Sequence, residues 1–144
     1  MIRQAGIQDA AAVAELALLL WPEHTLQELQ EEFEGFLSDS ACGVFLFIQE
    51  GRPAGFAQVQ LRHDYVEGTS TSPVGYLEGI YVRPAYRKQG MARKLVSACE
   101  AWAREKGCRE FASDCLLDNR DSLAFHLALG FMEAGRIICF TKDL

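Results

Sequence analysis

The sequence predicts an α/β protein built on one mixed sheet with helices on both of its faces. Three observations predict this. Strand-like and helix-like stretches follow one another in the order β-α-α-β-β-β-α-β-α-β, for which a sheet covered on both sides is the economical packing. The two central apolar runs, Cys42 to Gln49 and Val74 to Val82, read as buried strands, whereas Thr25 to Leu37 and Met91 to Lys106 carry apolar residues at helical spacing. The length of 144 residues, with 49% hydrophobic and 24% charged content, fits a single domain over 1–144 with a real core.

Each element has a local reason. Met1 to Ala5 is a candidate short first strand. Asp9 to Leu20 is rich in alanine and leucine, which favours helix; Pro22 stops it and leaves Trp21 at the exit. Thr25 and Glu28 have the spacing of a capping box and open a second helix to about Leu37. Its Leu26, Leu29, Phe33 and Leu37 form the apolar stripe, with Glu28, Glu31, Glu32 and Glu34 on a solvated face. Cys42 to Gln49 and Pro53 to Leu61 make a hairpin around Glu50-Gly51-Arg52. Arg62 to Pro73 is a polar loop long enough to carry function, and Val74 to Val82 is the next strand, ended by Pro84. The helix Met91 to Lys106 buries Met91, Leu95, Ala98 and Trp102 and is capped by Gly107. Arg109 to Asp114 is a strand, Asn119 to Leu129 a short helix, and Phe131 to Thr141 is expected to close the chain as one or two strands.

Composition excludes several classes. No apolar run approaches the roughly 20 residues of a membrane helix, and no leader is visible, so neither a membrane nor export is expected. Five cysteines, an odd number without C-x-x-C spacing, point to reduced thiols in a cytoplasm and to no structural metal. The net charge is −6, yet Arg83, Arg87, Lys88, Arg93 and Lys94, five of the fourteen basic residues, fall within twelve positions. Such a cluster in an acidic chain suggests a specific anionic ligand rather than nucleic acid. Gly90 sits at the mouth of a helix, where backbone can approach a ligand closely and free N–H groups favour a phosphate. A solvated turn is the plainer alternative.

The later half, V-R-P-A-Y-R-K-Q-G-M-A-R-K-L followed by K-G-C and then D-C-L-L-D-N-R-D-S-L-A-F-H-L-A-L-G-F, resembles the GNAT superfamily of acetyl-CoA-dependent N-acetyltransferases. Leu20-Trp21-Pro22 with His24, Arg62 to Val66, Ser72-Pro73, Leu77 to Ile80 and Gly107 to Asp114 are similar to the aminoglycoside 6′-N-acetyltransferases within it. The resemblance implies a mostly antiparallel sheet in which two parallel strands, here Val74–Val82 and Arg109–Asp114, splay apart around the pantetheine arm of acetyl-CoA. It carries Ile80, Tyr81 and Val82 over as the strand edge that pairs with that arm. Arg87, Lys88, Gln89, Gly90, Met91, Ala92 and Arg93 carry over as the pyrophosphate loop. Asn119 carries over as a polar coenzyme contact, although a helix N-cap role is compatible with it. The resemblance also implies a homodimer, with apolar Phe131 to Thr141 as the contact region.

Acyl transfer to an amine needs a proton acceptor, since an alkylammonium has no lone pair. Glu78 and Asp114 are the candidates. A carboxylate inside an apolar strand is costly without a partner or a task. The alternative for Glu78 is a partly buried ion pair with an arginine. Alternation is expected to put Tyr76, Glu78, Ile80 and Val82 on one face, and Glu110, Ala112 and Asp114 on one face of the other strand. Glu78 and Asp114 can equally hold substrate ammonium groups. The acceptor side is expected from Trp21, His24 and Tyr65 as well. A backbone N–H near Tyr81 or Val82 suits the oxyanion. Where many family members have a tyrosine as general acid, this chain has His126, which is left outside the chemistry. The expected substrate is an aminoglycoside or another polycationic amine such as a polyamine. A coenzyme-binding sensor without turnover is the reading from a different class.

Overall fold

The computed structural model describes residues 1–144. It contains β1 (Ile2–Gln4), α1 (Ala10–Leu20), α2 (Leu26–Leu37), β2 (Cys42–Gln49), β3 (Arg52–Arg62), β4 (Val74–Val82), α3 (Met91–Glu105), β5 (Phe111–Ser113) and α4 (Arg120–Ala128). The strands form one sheet in the order β1-β2-β3-β4-β5, antiparallel except for the parallel pair β4–β5.

Strand alternation distributes the apolar residues between two cores. Val44 and Leu46 of β2, with Phe56 of β3, face α1 and α2 and pack on Val13, Leu16, Leu29 and Phe33. Phe45, Phe47, Ala57 and Val59 face the other way and pack on Leu95, Val96, Cys99 and Trp102 of α3. The buried stripe of α3 therefore runs through Val96, Cys99 and Ala103 as well as Leu95 and Trp102, while Met91 and Ala98 stay only partly buried at its margin. The Thr25–Glu28 capping box forms as the spacing predicts, with Glu28 N–H on Thr25 Oγ1 at 3.1 Å and Thr25 N–H on Glu28 Oε2 at 3.2 Å. Asp9 joins α1 to β1: its two oxygens accept Arg3 Nη1 and Nη2 at 2.8 Å, and Gly6 N–H adds a third bond at 2.8 Å.

The expected C-terminal strands do not form. Residues 131–144 have no regular secondary structure, and Met132, Ile137, Ile138 and Phe140 are between 77% and 89% exposed. The sheet ends at β5, and residues 131–144 do not pair with its outer edge, so an extended stretch there has no ladder to hold it. Its start is pinned by Phe131 beside Phe111 and His126, and by Ala134 lying against Gly68.

A second difference positions the site. β3 pairs Gln58 with Gly79 and Val59 with Leu77, so Glu78 is an extra residue on β4, a β-bulge. The bulge reverses the alternation. Gly75 and Leu77 point to the α3 face, and beyond Glu78 that face is taken by Ile80 and Val82. Tyr76, Glu78, Gly79 and Tyr81 point to the opposite face. Tyr76 and Glu78 thus do not share a face with Ile80 and Val82, because one inserted residue shifts the register by half a pleat.

Candidate active site

β4 and β5 pair only through Gly75–Phe111, Tyr76–Ala112 and Leu77–Ser113. The bulge at Glu78 then bends β4, and β5 stops at Ser113, shorter than the Arg109–Asp114 strand expected. From Glu78 to Val82 one edge of β4 has no strand beside it. Arg83 N–H goes to Ala54 O on β3 at 2.8 Å, so Val82, one residue back, turns its N–H and C=O to the open side. Arg87 Nε donates to that Val82 carbonyl at 2.7 Å, and its guanidinium lies 5.3 Å from the Tyr81 ring centroid.

Below this edge the chain turns through Pro84–Tyr86 and enters α3 at Gly90, the N-cap, with φ 79° and no side-chain cap. A Cβ placed at Gly90 would meet nothing within 4 Å, so the approach to the helix end is open. α3 starts at Met91, which leaves Arg87 to Gln89 in the loop before it. The first N–H groups of a 15-residue helix therefore face a loop carrying Arg87 and Lys88. Arg93, one turn in, donates to Ala128 O at the end of α4 at 2.9 Å and ties that helix to the same place. Asn119 caps α4, accepting Ser122 N–H at 3.1 Å on Oδ1, which is the N-cap role the sequence allows.

The two candidate carboxylates lie on one connected network. Glu78 is forked by Arg62, with Nη2 2.9 Å from Oε1 and 3.0 Å from Oε2 and Nε 3.2 Å from Oε1. The arginine partner considered for Glu78 is therefore real. The Arg62 guanidinium carbon lies 3.5 Å from the centroid of the Tyr76 ring. The Tyr76 hydroxyl in turn donates to Asp114 Oδ2. Burial, with Asp114 next, pushes the Tyr76 phenol well above its ordinary value, so it stays protonated and a donor. Asp114 itself is exposed at the mouth of the gap, just past the last residue of β5.

Trp21, at the end of α1, reaches the same place. Its ring covers Gly79, where a Cβ would stand 2.6 Å from Cη2, and it packs edge-on against Phe56 at 6.2 Å. Tyr65 is 79% exposed on the loop above, its hydroxyl on Glu67 Oε2 at 3.1 Å, while the next residue, Val66, is buried against Val74 and Tyr76. Glu110 fixes the far end of that loop by accepting Ser70 N–H at 2.9 Å, Thr71 N–H at 2.8 Å and the Thr71 hydroxyl. His24 is not brought to the network; its ring nitrogens lie 3.4 Å from Glu28 and 3.7 Å from Glu23. His126 has both nitrogens engaged, Nδ1 with Ser122 O at 2.7 Å and Nε2 with Ser113 Oγ at 2.8 Å.

Sequence reasoning does not single out Arg62 or Tyr76. The first reads as a loop residue and is in fact the last residue of β3; the second reads as one more apolar strand position. Gly79 beside a carboxylate was the available signal, since a glycine inside a strand often marks a bulge.

A parallel strand pair that parts beside an open, basic helix end, with a carboxylate at the mouth of the gap, offers an extended, phosphate-bearing carrier a strand edge and an anion site, the arrangement that the resemblance to acyl-group transferases implies. The chain belongs to the acetyltransferase (GNAT) family, whose model matches residues 10–131. Similar proteins include the aminoglycoside N(6′)-acetyltransferase type 1 of Stenotrophomonas maltophilia, 46% identical over 144 residues, covering 99% of this chain and 93% of that one. The protein of the same name from Acinetobacter genomosp. 13 is 44% identical over 129 residues, covering 90% and 88%. Among solved structures, AAC(6′)-Iy in complex with the bisubstrate analogue CoA-S-monomethyl-acetylneamine superposes with a TM-score of 0.95 at 38% identity, covering 100% of this chain and 98% of that one. Apo AAC(6′)-IG from Acinetobacter haemolyticus superposes at 0.94 with 36% identity, covering 100% and 99%.

Proposed function

We propose that this protein transfers the acetyl group of acetyl-CoA to the 6′-amino group of an aminoglycoside, and so confers resistance to it. The observation that carries the reading is the parting of β4 from β5 after Leu77 and Ser113. It leaves the Ile80–Val82 edge free for the pantetheine amides. That edge leads down to the Arg87–Arg93 loop, whose N–H groups and cations suit the pyrophosphate, and up to the carboxylates at the mouth. Near full-length similarity to proteins named aminoglycoside 6′-N-acetyltransferases supports the substrate class.

In the proposed reaction the substrate ammonium gives a proton to a carboxylate at the mouth, directly or through water. The freed amine attacks the thioester carbonyl, and in this reading the Val82 N–H donates to the oxygen as charge builds there. The C–S bond then breaks. The thiolate takes up, directly or through water, the proton that the attacking nitrogen loses as the amide forms, and an amide and coenzyme A remain. Trp21 and Tyr65 supply aromatic faces for the sugar rings, and the Glu67 side of the loop attracts further ammonium groups. The net charge of −6 steers a polycation towards the protein. The reaction as written uses no metal. Its expected setting is the cytoplasm, where acetyl-CoA is available; no helix is long and apolar enough to cross a membrane, and all five thiols are free.

The working unit in this reading is a homodimer. Residues 131–144 expose Met132, Ile137, Ile138 and Phe140, and the outer edge of β5 is unpaired, two features that a second copy would cover. Sedimentation at micromolar protein tests this, and a monomer alone would contradict it.

The function is tested by thiol release from acetyl-CoA with kanamycin or tobramycin, with spermidine, and with a matched aminoglycoside bearing a hydroxyl in place of the 6′-amine. Release with the drugs and none with the hydroxyl analogue is expected. Release with spermidine alone would overturn the substrate, and tight coenzyme binding without release from any amine would overturn the enzyme.

A further inference from the structure

We propose that Arg62 and Tyr76 are positioning residues for the acyl transfer: Tyr76 holds Asp114 towards the acceptor amine, Arg62 holds Tyr76, and the Arg62–Glu78 fork takes Glu78 out of proton transfer. The inference rests on the acetyltransferase reading above and assigns the proton acceptor within it.

Asp114 follows the last residue of β5. Its one side-chain bond is the hydroxyl of Tyr76 on Oδ2, which leaves Oδ1 free at the mouth of the gap. The orientation of the carboxylate is therefore set by a phenol. Tyr76 is 7% exposed and is held on one side by Val66, Val74 and Ala112. On its ring face lies Arg62, at 3.5 Å from the centroid. Arg62 stays there because Glu78 takes its fork through three contacts of 2.9 to 3.2 Å. The bulge is what makes this possible: it keeps Glu78 on the Tyr76 face while Ile80 and Val82 return to the α3 side.

The same contacts argue against Glu78 as the base. Both of its oxygens already accept from a guanidinium, which remains protonated at any working pH. Protonating Glu78 would remove the charge that the guanidinium pairs with, whereas Asp114 has an oxygen with no side-chain partner and no paired cation to lose. The charged and titratable groups around the phenol that links them are Asp114, Arg62 and Glu78.

The test uses full-length Tyr76→Phe, Arg62→Met, Asp114→Asn and the double variant Tyr76→Phe/Asp114→Asn. Rates are measured against pH with acceptor and acetyl-CoA varied separately. Tyr76→Phe keeps the ring and removes the bond to Asp114. Its kcat/KM for the acceptor should fall about 10- to 100-fold, in the range of a lost positioning contact. The acetyl-CoA KM should stay within about twofold, because the coenzyme edge lies on the other side of the bulge. Arg62→Met should reproduce part of the loss. The double variant should be no slower than Asp114→Asn, because Tyr76 acts through Asp114.

An unchanged acceptor kcat/KM in Tyr76→Phe, or losses that multiply in the double variant, would overturn the inference. If Tyr76→Phe does not fold, Arg62→Met with a wild-type acceptor kcat/KM overturns it equally. These outcomes leave acetyl transfer itself intact in the wild-type enzyme, whereas absence of transfer to any amine would overturn the function beneath it.

Discussion

Gly79→Ala is the substitution that most sharply joins the bulge to the acceptor side. The φ of Gly79 is one that alanine adopts freely, so the effect is one of space. The new methyl would stand 2.6 Å from Trp21 Cη2, 2.7 Å from Cζ2 and 3.3 Å from Leu20 Cδ2. Ordinary carbon contacts are about 3.5–4.0 Å, so the indole must move by roughly 1 Å. Trp21 is the C-cap of α1 and packs edge-on against Phe56, so it moves only by loosening that contact. Forced overpacking of this kind is worth about 1–3 kcal/mol. For a domain of this size that is a fall in Tm of roughly 2–4 °C per kcal/mol. The acceptor KM should rise, while the acetyl-CoA KM stays within about twofold, because Gly79 points away from the Ile80 and Val82 face. Thermal unfolding and initial rates measure both. Trp21→Leu should make room, so the double variant Trp21→Leu/Gly79→Ala should lose less stability than the sum of the single variants. An unchanged Tm in Gly79→Ala, or strict additivity in the double variant, would contradict the clash with Trp21.

Three further outcomes are expected. Arg87→Ala removes a cation from the phosphate loop and the bond to Val82 O, so the acetyl-CoA KM should rise about tenfold with little change in the acceptor KM; equal changes in both would contradict its placement. Asp9→Asn should lower stability by about 1 kcal/mol, a modest figure because Arg3 is 41% exposed. The Arg3 hydrogen bond holds the Asp9 carboxyl below its ordinary 3.8, so its contribution is present above about pH 4 and is lost as pH falls through the lowered native value; urea titrations at pH 6 and pH 3 should show the variant's deficit shrinking at the lower pH. Burial pushes the Cys42 thiol up to about 11 and also raises Cys99 and Cys108, so a thiol reagent at pH 8 should label exposed Cys115 and Cys139 first and reach those three only after unfolding; rapid labelling of any of the three would contradict the packing.

The parts of this molecule that were legible in the sequence are those set by local chemistry. The capping box at Thr25, the hairpin at Glu50–Gly51, and the basic loop before α3 each follow from residues close together in the chain. The faces of β4 were not legible, because the alternation is broken by one inserted residue whose cue is the single glycine after it. Arg62 and Tyr76 escaped notice for a related reason. Their roles depend on partners 16 and 38 positions away, and neither residue type stands out where it lies. The C-terminal stretch has the apolar content of a strand, but a strand needs a neighbour, and sequence periodicity does not report whether the chain supplies one. His126 stands where the resemblance implies a tyrosine; its hydrogen bonds to Ser113 and to its own helix emerge only from the fold.

The central claim is that the acetyl group goes to one nitrogen of a polyamine-bearing sugar. Incubating the enzyme with acetyl-CoA and kanamycin, purifying the product and locating the new amide by two-dimensional NMR tests it most directly. A single monoacetylated product with the acetyl on the 6′-nitrogen is expected. Acetyl on a ring amine of the central cyclitol, or a mixture of sites, would contradict it.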